Sequence, residues 1–208
     1  MPDRLAARSA LHGLASPGRF GRATGTAGLV IAERSGLALA SVIAGNRKGG
    51  AVVSALAQRH GVEPHDSSRR VANSEVAFIG CGPRQWIAIA EPPAAADFVA
   101  GLQTTLEGLA AVSDQSDGRV VIRLSGAHVR DVLAKGVPID LDPRAFGPDD
   151  AAVTLAAHIG VHLWQRDAQP TYELMAFRSL AGSLWSWLTA SAAEFGYEVV
   201  ADAAAGLD

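Results

Sequence analysis

The chain has 208 residues, with 18 Lys and Arg against 21 Asp and Glu, a formal charge of −3, and a composition 49% hydrophobic and 19% charged. There is enough apolar material for a buried core, which excludes a wholly disordered chain. The slightly acidic balance excludes nucleic acid as the main partner, because phosphate neutralisation needs a basic surface. Cys81 is the only cysteine, so neither an intramolecular disulfide nor a thiolate zinc site can form, and a reducing, cytoplasmic location is expected. Met1 to Leu11 holds no apolar stretch of signal-peptide length, and no window is long enough to span a bilayer. A soluble protein with no membrane partner is therefore expected.

Residues 1–28 are rich in Gly, Ser and Arg and show no regular period, which predicts an extended N-terminal segment. Leu11, Leu14 and Phe20 are its apolar anchors, suited to lying along a partner. A short strand at Leu29-Val30-Ile31 is expected to turn back at Glu33-Arg34-Ser35-Gly36 into a second strand, Leu37 to Ile43. Gly49 to His60 is read as a helix with Val52, Val53 and Leu56 on one face and Gly61 as its stop. Val76 to Ile79 and Gln85 to Ile89 flank Gly80-Cys81-Gly82-Pro83, the signature of a hairpin. Pro92-Pro93 opens a helix expected from Ala94 to Ala110, with Phe98, Leu102, Leu106 and Leu109 along one stripe.

After Asp114 to Gly118 the order starts again. Arg119 to Leu124 is a strand, and Ser125-Gly126 leads a helix through Val129, Val132 and Leu133 to Gly136. Thr154 to Trp164 and Thr171 to Phe177 form a second hairpin. Ser179 caps a last helix running to Phe195, with Leu180, Leu184, Trp187, Leu188, Ser191 and Phe195 on one face. The repeated order predicts an α+β protein of two ferredoxin-like subdomains with antiparallel sheets, at 29–112 and 113–200, followed by a tail at 201–208.

Candidate chemistry is sparse, and no catalytic, cofactor-binding or metal-ligating residue is assigned. The G-x-G at Gly80-Cys81-Gly82 has Gln85 where a dinucleotide fingerprint needs a small residue. Gly45 to Gly50 lacks the spacing of a phosphate-binding loop. His158 and His162 fall on a strand with no carboxylate near in sequence, so they read as paired histidines on a partly buried face. Cys81 has only Arg84 nearby and Ser125 lacks the leading glycine of a nucleophile elbow, leaving a bystander thiol and a helix cap. Trp187 falls on the apolar stripe, so Trp185 points away from it. Trp185, Phe20 and Leu11 are the candidate subunit-interface residues.

Four segments carry a family likeness: Ala134-Lys135-Gly136-Val137-Pro138-Ile139-Asp140-Leu141-Asp142-Pro143-Arg144-Ala145-Phe146; Arg178-Ser179-Leu180-Ala181 with Leu184-Trp185-Ser186-Trp187-Leu188; Asp117 to Gly126; and Gly82-Pro83-Arg84-Gln85-Trp86. Together they resemble the γ subunit of heterotetrameric sarcosine oxidase. The resemblance implies the aminomethyltransferase folate-binding fold without its C-terminal barrel. It further implies a noncatalytic chain partnered by α, β and δ subunits that hold FAD, FMN, NAD, zinc and tetrahydrofolate, with no cofactor on this chain. The implied complex oxidatively demethylates sarcosine to glycine, forming hydrogen peroxide and 5,10-methylenetetrahydrofolate. Two further functions fit the same pattern: a standalone folate-binding protein, with a buried carboxylate in a cleft between the halves, and the equivalent subunit of an oxidase or dehydrogenase for another N-methyl amino acid.

Overall fold

A computed structural model describes residues 8–201; the first residues of the N-terminal segment and all but Ala201 of the tail lie outside them. In chain order the strands and helices are β1 Gly18–Phe20, β2 Leu29–Glu33, β3 Ala38–Ala44, α1 Gly49–His60, β4 Arg70–Ala72, β5 Val76–Gly82, β6 Gln85–Ala90, α2 Phe98–Thr105 and β7 Ala110–Asp114. The second run is β8 Arg119–Ser125, α3 Val129–Ala134, β9 Ala151–Ala156, β10 Ile159–Gln165, β11 Tyr172–Phe177, α4 Ala181–Ala192 and β12 Tyr197–Val200. The segment β3 to β7 and the segment β8 to β12 thus share one order of strands and helices, as the repeat predicts.

The strands form two sheets. One has the order β4-β5-β6-β3-β7 and the other β1-β12-β2-β8-β11-β10-β9. Matching the repeats strand for strand gives the same sheet order twice, with two additions: β2 enters the second sheet between β8 and β12, and β1 pairs with the outer edge of β12. Strand β2 runs antiparallel to β8 and parallel to β12. The expected hairpin of β2 with β3 therefore does not form. Residues 34–37 instead cross from one sheet to the other, and the segment 29–33 pairs with the second half of the chain. The boundary at 112/113 falls inside β7, which pairs with β3.

Four layers result. Strand residues alternate between faces, and the five-stranded sheet turns Val42, Phe78, Trp86 and Ala88 toward α1 and α2, where Val52, Leu56, Phe98, Leu102 and Leu106 meet them. The seven-stranded sheet turns Leu29, Ile122, Leu124 and Leu174 toward α3 and α4, against Val129, Val132, Leu133, Leu184 and Leu188. Between the sheets, Leu39, Ile79, Ile87 and Ile89 pack on Val121, Ala151, Trp164 and Met175.

Three elements differ from expectation. The strand expected over Thr154 to Trp164 is a hairpin, with Ala157 and His158 at φ 47° and 73°, the pair of positive values that a tight two-residue hairpin turn needs. The second helix is shorter than 94–110: it begins at Phe98 and its chain leaves through Gly108 at φ 70°, after which β7 takes the free edge of β3. The helix expected from Ser125 begins at Val129, with His128 at its N-cap, because Ser125 is still a strand residue paired with Val30.

Close approach fixes some glycines and not others. A Cβ on Gly80 would lie 1.8 Å from the Ser67 carbonyl oxygen, whereas one on helical Gly101 would meet nothing within 4 Å. Gly80→Ala is expected to lower stability by about 2 kcal/mol or more, and Gly101→Ala to raise it by about 0.5–1 kcal/mol. Urea unfolding of the two variants beside the wild type checks both signs.

Candidate functional site

Charged residues interrupt the apolar layer between the sheets at one place. Glu173, the second residue of β11, lies between Tyr172 and Leu174, both turned toward the helices, so its carboxylate faces inward; the residue is 5% exposed. It accepts hydrogen bonds from Arg34 Nη1 at 2.7 Å, Arg123 Nε at 2.9 Å, Arg166 Nη1 at 3.3 Å and, on its other oxygen, Trp164 Nε1 at 2.9 Å. Arg34 also donates to Glu91. The crossover after β2 supplies Arg34, β8 supplies Arg123, the ends of β6 and β10 supply Glu91 and Arg166, and β10 supplies Trp164. The crossover and the second half thus meet at one carboxylate, and the first half joins them through the Arg34–Glu91 pair. Burial opposes the Arg34 cation, but Glu173 and Glu91 outweigh it and raise its pKa.

This is a buried carboxylate between the halves, but it is not open to a ligand. The cavity beside it, lined by Arg34, Ile89, Glu91, Trp164, Arg166 and Glu173, measures about 20 Å³, room for about one water. A pterin ring does not fit there. Among the described residues no group of three or more His, Cys, Asp or Glu side chains is arranged to hold a metal ion.

On the other side of Arg34 a wider cleft of about 400 Å³ is lined by Arg8, Glu33, Arg34, Ser116, Asp117, Arg119 and Arg178. Arg119 opens β8 and lies over the Phe177 ring, 3.8 Å from its centroid; burial lowers its pKa. His162 lies near it on β10. Burial, with Arg119 adding to it, lowers the His162 pKa to about 4, and its Nδ1 has no partner. Burial raises the pKa of Cys81. Thiol and imidazole are therefore both neutral near pH 7, the opposite of the thiolate–imidazolium pair that a nucleophilic cysteine requires. His158 sits in the β9–β10 turn at positive φ, so the two histidines do not form a paired strand face.

Of the expected interface residues, two belong to the interior. Leu11 is 1% and Trp185 8% exposed, both within the core around α3 and α4. The helix phase explains Trp185. Leu180 and Phe195, which set the expected stripe, lie in 3₁₀ turns at 178–180 and 193–195, out of phase with α4. The helix itself buries Ala181, Leu184, Trp185, Leu188, Ser191 and Ala192, and Ser179 makes no cap. Glu33 secures Leu11 by accepting from the Ser9 hydroxyl and from the amides of Ala10 and Leu11. Phe20 is 39% exposed on β1, stacked on Tyr197 at 5.4 Å. The residues around Glu173 went unread in the sequence. Their signal was present as single charges, Arg123 and Glu173, set inside otherwise apolar strands.

Two predictions follow from these environments. Glu173→Gln leaves Arg34, Arg123 and Arg166 without their shared counter-charge and is expected to cost about 3–5 kcal/mol, read by denaturant unfolding. For His162 the folded pKa lies below the unfolded value of about 6.5, so the unfolded chain binds the extra proton. Stability is full above pH 6.5 and falls as pH drops toward 4, by up to about 3 kcal/mol. His162→Gln should flatten that part of the stability–pH curve.

The sarcosine oxidase γ subunit family model matches residues 44–194. A sarcosine oxidase subunit γ from Corynebacterium sp. (strain P-1) is 37% identical over 126 residues, 60% of this chain and 61% of that protein. The aligned part therefore spans about six-tenths of that curated relative's length. Among solved structures, a chain of the heterotetrameric sarcosine oxidase from Corynebacterium sp. U-96, in complex with pyrrole 2-carboxylate, superposes with a TM-score of 0.76 at 26% identity, covering 91% of this chain and 96% of that one. The glycine cleavage system aminomethyltransferase T from Bartonella henselae shares the fold at a TM-score of 0.60 and 14% identity, over 88% of this chain and 58% of its own length. No described helix is long and apolar enough to cross a membrane. With the family model matched across all four helices and most strands of both sheets, the chain belongs to the sarcosine oxidase γ subunit family.

Proposed function

We propose that this chain is the noncatalytic γ subunit of a cytoplasmic heterotetrameric sarcosine oxidase, stabilising an assembly whose α, β and δ subunits carry the chemistry. In that assembly sarcosine is oxidatively demethylated to glycine, oxygen is reduced to hydrogen peroxide, and the one-carbon unit passes to tetrahydrofolate. FAD, FMN, NAD, zinc and folate sit on the partner chains. The observation that carries the proposal is the superposition over almost the full length of a chain from such a heterotetramer. The chain's own chemistry supports the noncatalytic role. Its buried carboxylate is held by three arginines and a tryptophan, and its cysteine and the histidine of β10 are both neutral.

Co-expression with the α, β and δ chains, purified through a tag on α, tests the proposal. The expected outcome is one copy of this chain per complex and sarcosine-dependent peroxide release by the complex, with none from this chain alone. A complete, active complex that forms without this chain would defeat the proposal. Titration of the isolated chain with reduced folate is expected to show no saturable binding. Saturable binding would favour the standalone folate-binding function instead.

A further inference from the structure

The inner face of the seven-stranded sheet is longer than the layer that covers it. At one end, Ala151, Trp164 and Met175 lie under the other sheet. Toward the opposite end the same face continues on β9 through Val153 and Leu155, 57% and 45% exposed, and on β11 to Phe177, 51% exposed. The register makes this a cross-strand row. Leu155 lies opposite Gly160 and Phe177 opposite Arg119, and extending the pairing of His162 with Met175 by two residues sets Gly160 opposite Phe177. The row therefore reads Leu155, Gly160, Phe177, Arg119 across β9, β10, β11 and β8.

Gly160 leaves a gap in this row. A Cβ built on it would meet nothing within 4 Å, so the space between the Leu155 and Phe177 side chains is open. Sheet edges exposed to solvent are normally protected by lysine, proline or a bulge. The segment Val153-Thr154-Leu155-Ala156 has no charge and no proline, and β9 is the last strand of its sheet.

The charges nearby specify what would cover it. Arg119 closes the row, partly buried over Phe177, and Arg178 follows it in the chain. No described carboxylate lies within ion-pair distance of either guanidinium. His162, the other titratable group on this face, is neutral above about pH 4, and Cys81, reaching in from β5, is a neutral thiol. Asp150, at the start of β9, is paired with Arg69. Arg119 donates to Gln115 Oε1 and Arg178 to the Arg8 carbonyl, both neutral acceptors. The face therefore grades from apolar at the edge strand to positive charge without a carboxylate partner among the described residues at β8, and its complement is apolar and acidic in the same order.

We infer that this face receives an extended segment of another subunit of the oxidase, which places a bulky apolar side chain in the gap above Gly160 and a carboxylate against Arg119. The inference rests on the proposed membership of a heterotetramer. Such a segment lies along the edge of β9 at residues 153–156, beyond the point where Ser68 and Arg69 pair with Ala151 and Asp150. It does so in the manner of an added strand, where the main chain supplies affinity and the alternate side chains supply specificity.

Affinity of the full chain for the assembled partner subunits tests it, with far-UV circular dichroism and Tm recorded on every variant. Leu155→Asp charges the exposed end of the row. Gly160→Val fills the gap with a residue that strands favour, at a place where its Cβ meets no neighbour. Both are expected to keep the wild-type Tm and to weaken binding on the order of tenfold or more. Arg119→Gln should weaken binding and flatten its salt dependence. Wild-type binding with unchanged affinity in both Leu155→Asp and Gly160→Val would overturn this docking face and leave the subunit assignment standing. A wild-type chain that does not bind the partner subunits would overturn both.

Discussion

The arrangement of the two halves depends on how three arginines share one carboxylate. Each half of the repeat can bury the outer face of its own sheet under its own helices, so those two cores are local products of the sequence. The contact between the halves is different. Its apolar layer is small, and at its centre stands Glu173, reached by Arg34 from the crossover, by Arg123 from the neighbouring strand and by Arg166 from the end of β10. A buried ion pair adds little net stability compared with a well-packed apolar substitute, because desolvation offsets most of the attraction. What it adds is direction. Apolar side chains tolerate a small slide of one sheet over the other, whereas a guanidinium that must meet Glu173 on one side and Glu91 on the other does not.

The same cluster explains the insertion of β2 into the repeat. Had β2 paired with β3 as a hairpin, Arg34 would have sat in a surface turn. Because β2 joins the second sheet between β8 and β12, the residue after it must cross between the layers, and the crossing brings Arg34 to Glu173. Together with β1 on the outer edge of β12, the inserted strand lengthens the second sheet to seven strands against five. On the other side of β8, strands β9 and β11 run past the covering layer and leave Leu155 and Phe177 exposed.

Much of this was legible in the sequence where local signals decide the outcome. Gly61 ends α1 in the left-handed conformation at φ 67°, and Gly80 to Pro83 marks the β5–β6 hairpin, because turn chemistry is a property of a few adjacent residues. The readings that failed depended on partners distant in the chain. Leu29 to Ile31 is a strand, but nothing local states which sheet it joins. The Ala157-His158 turn contains no glycine, proline or asparagine, so alternation alone reads through it. Trp185 reads as outward-facing because Leu180 and Phe195 draw the apolar stripe while lying outside the α-helical phase, whereas Trp187, read as core, does pack against the core around α3 and α4. Glu173 was readable only as an anomaly, a carboxylate flanked by Tyr172 and Leu174; its meaning required knowing that arginines from three other segments converge on it.

The interior chemistry and the proposed subunit role follow from one another. A catalytic carboxylate must change its protonation or offer a lone pair to substrate, and Glu173 has both oxygens committed to cations and an indole inside a space the size of a water. A catalytic thiol needs a positive microenvironment that lowers its pKa. Arg119 acts on Cys81 in that direction, yet burial dominates and the thiol stays protonated. Burial likewise keeps His162 unprotonated, so neither group carries the charge that a thiolate–imidazolium pair needs. The described interior thus stabilises one arrangement of two sheets, and Phe177 and Leu155, which that arrangement leaves uncovered, lie at the surface beside Arg119.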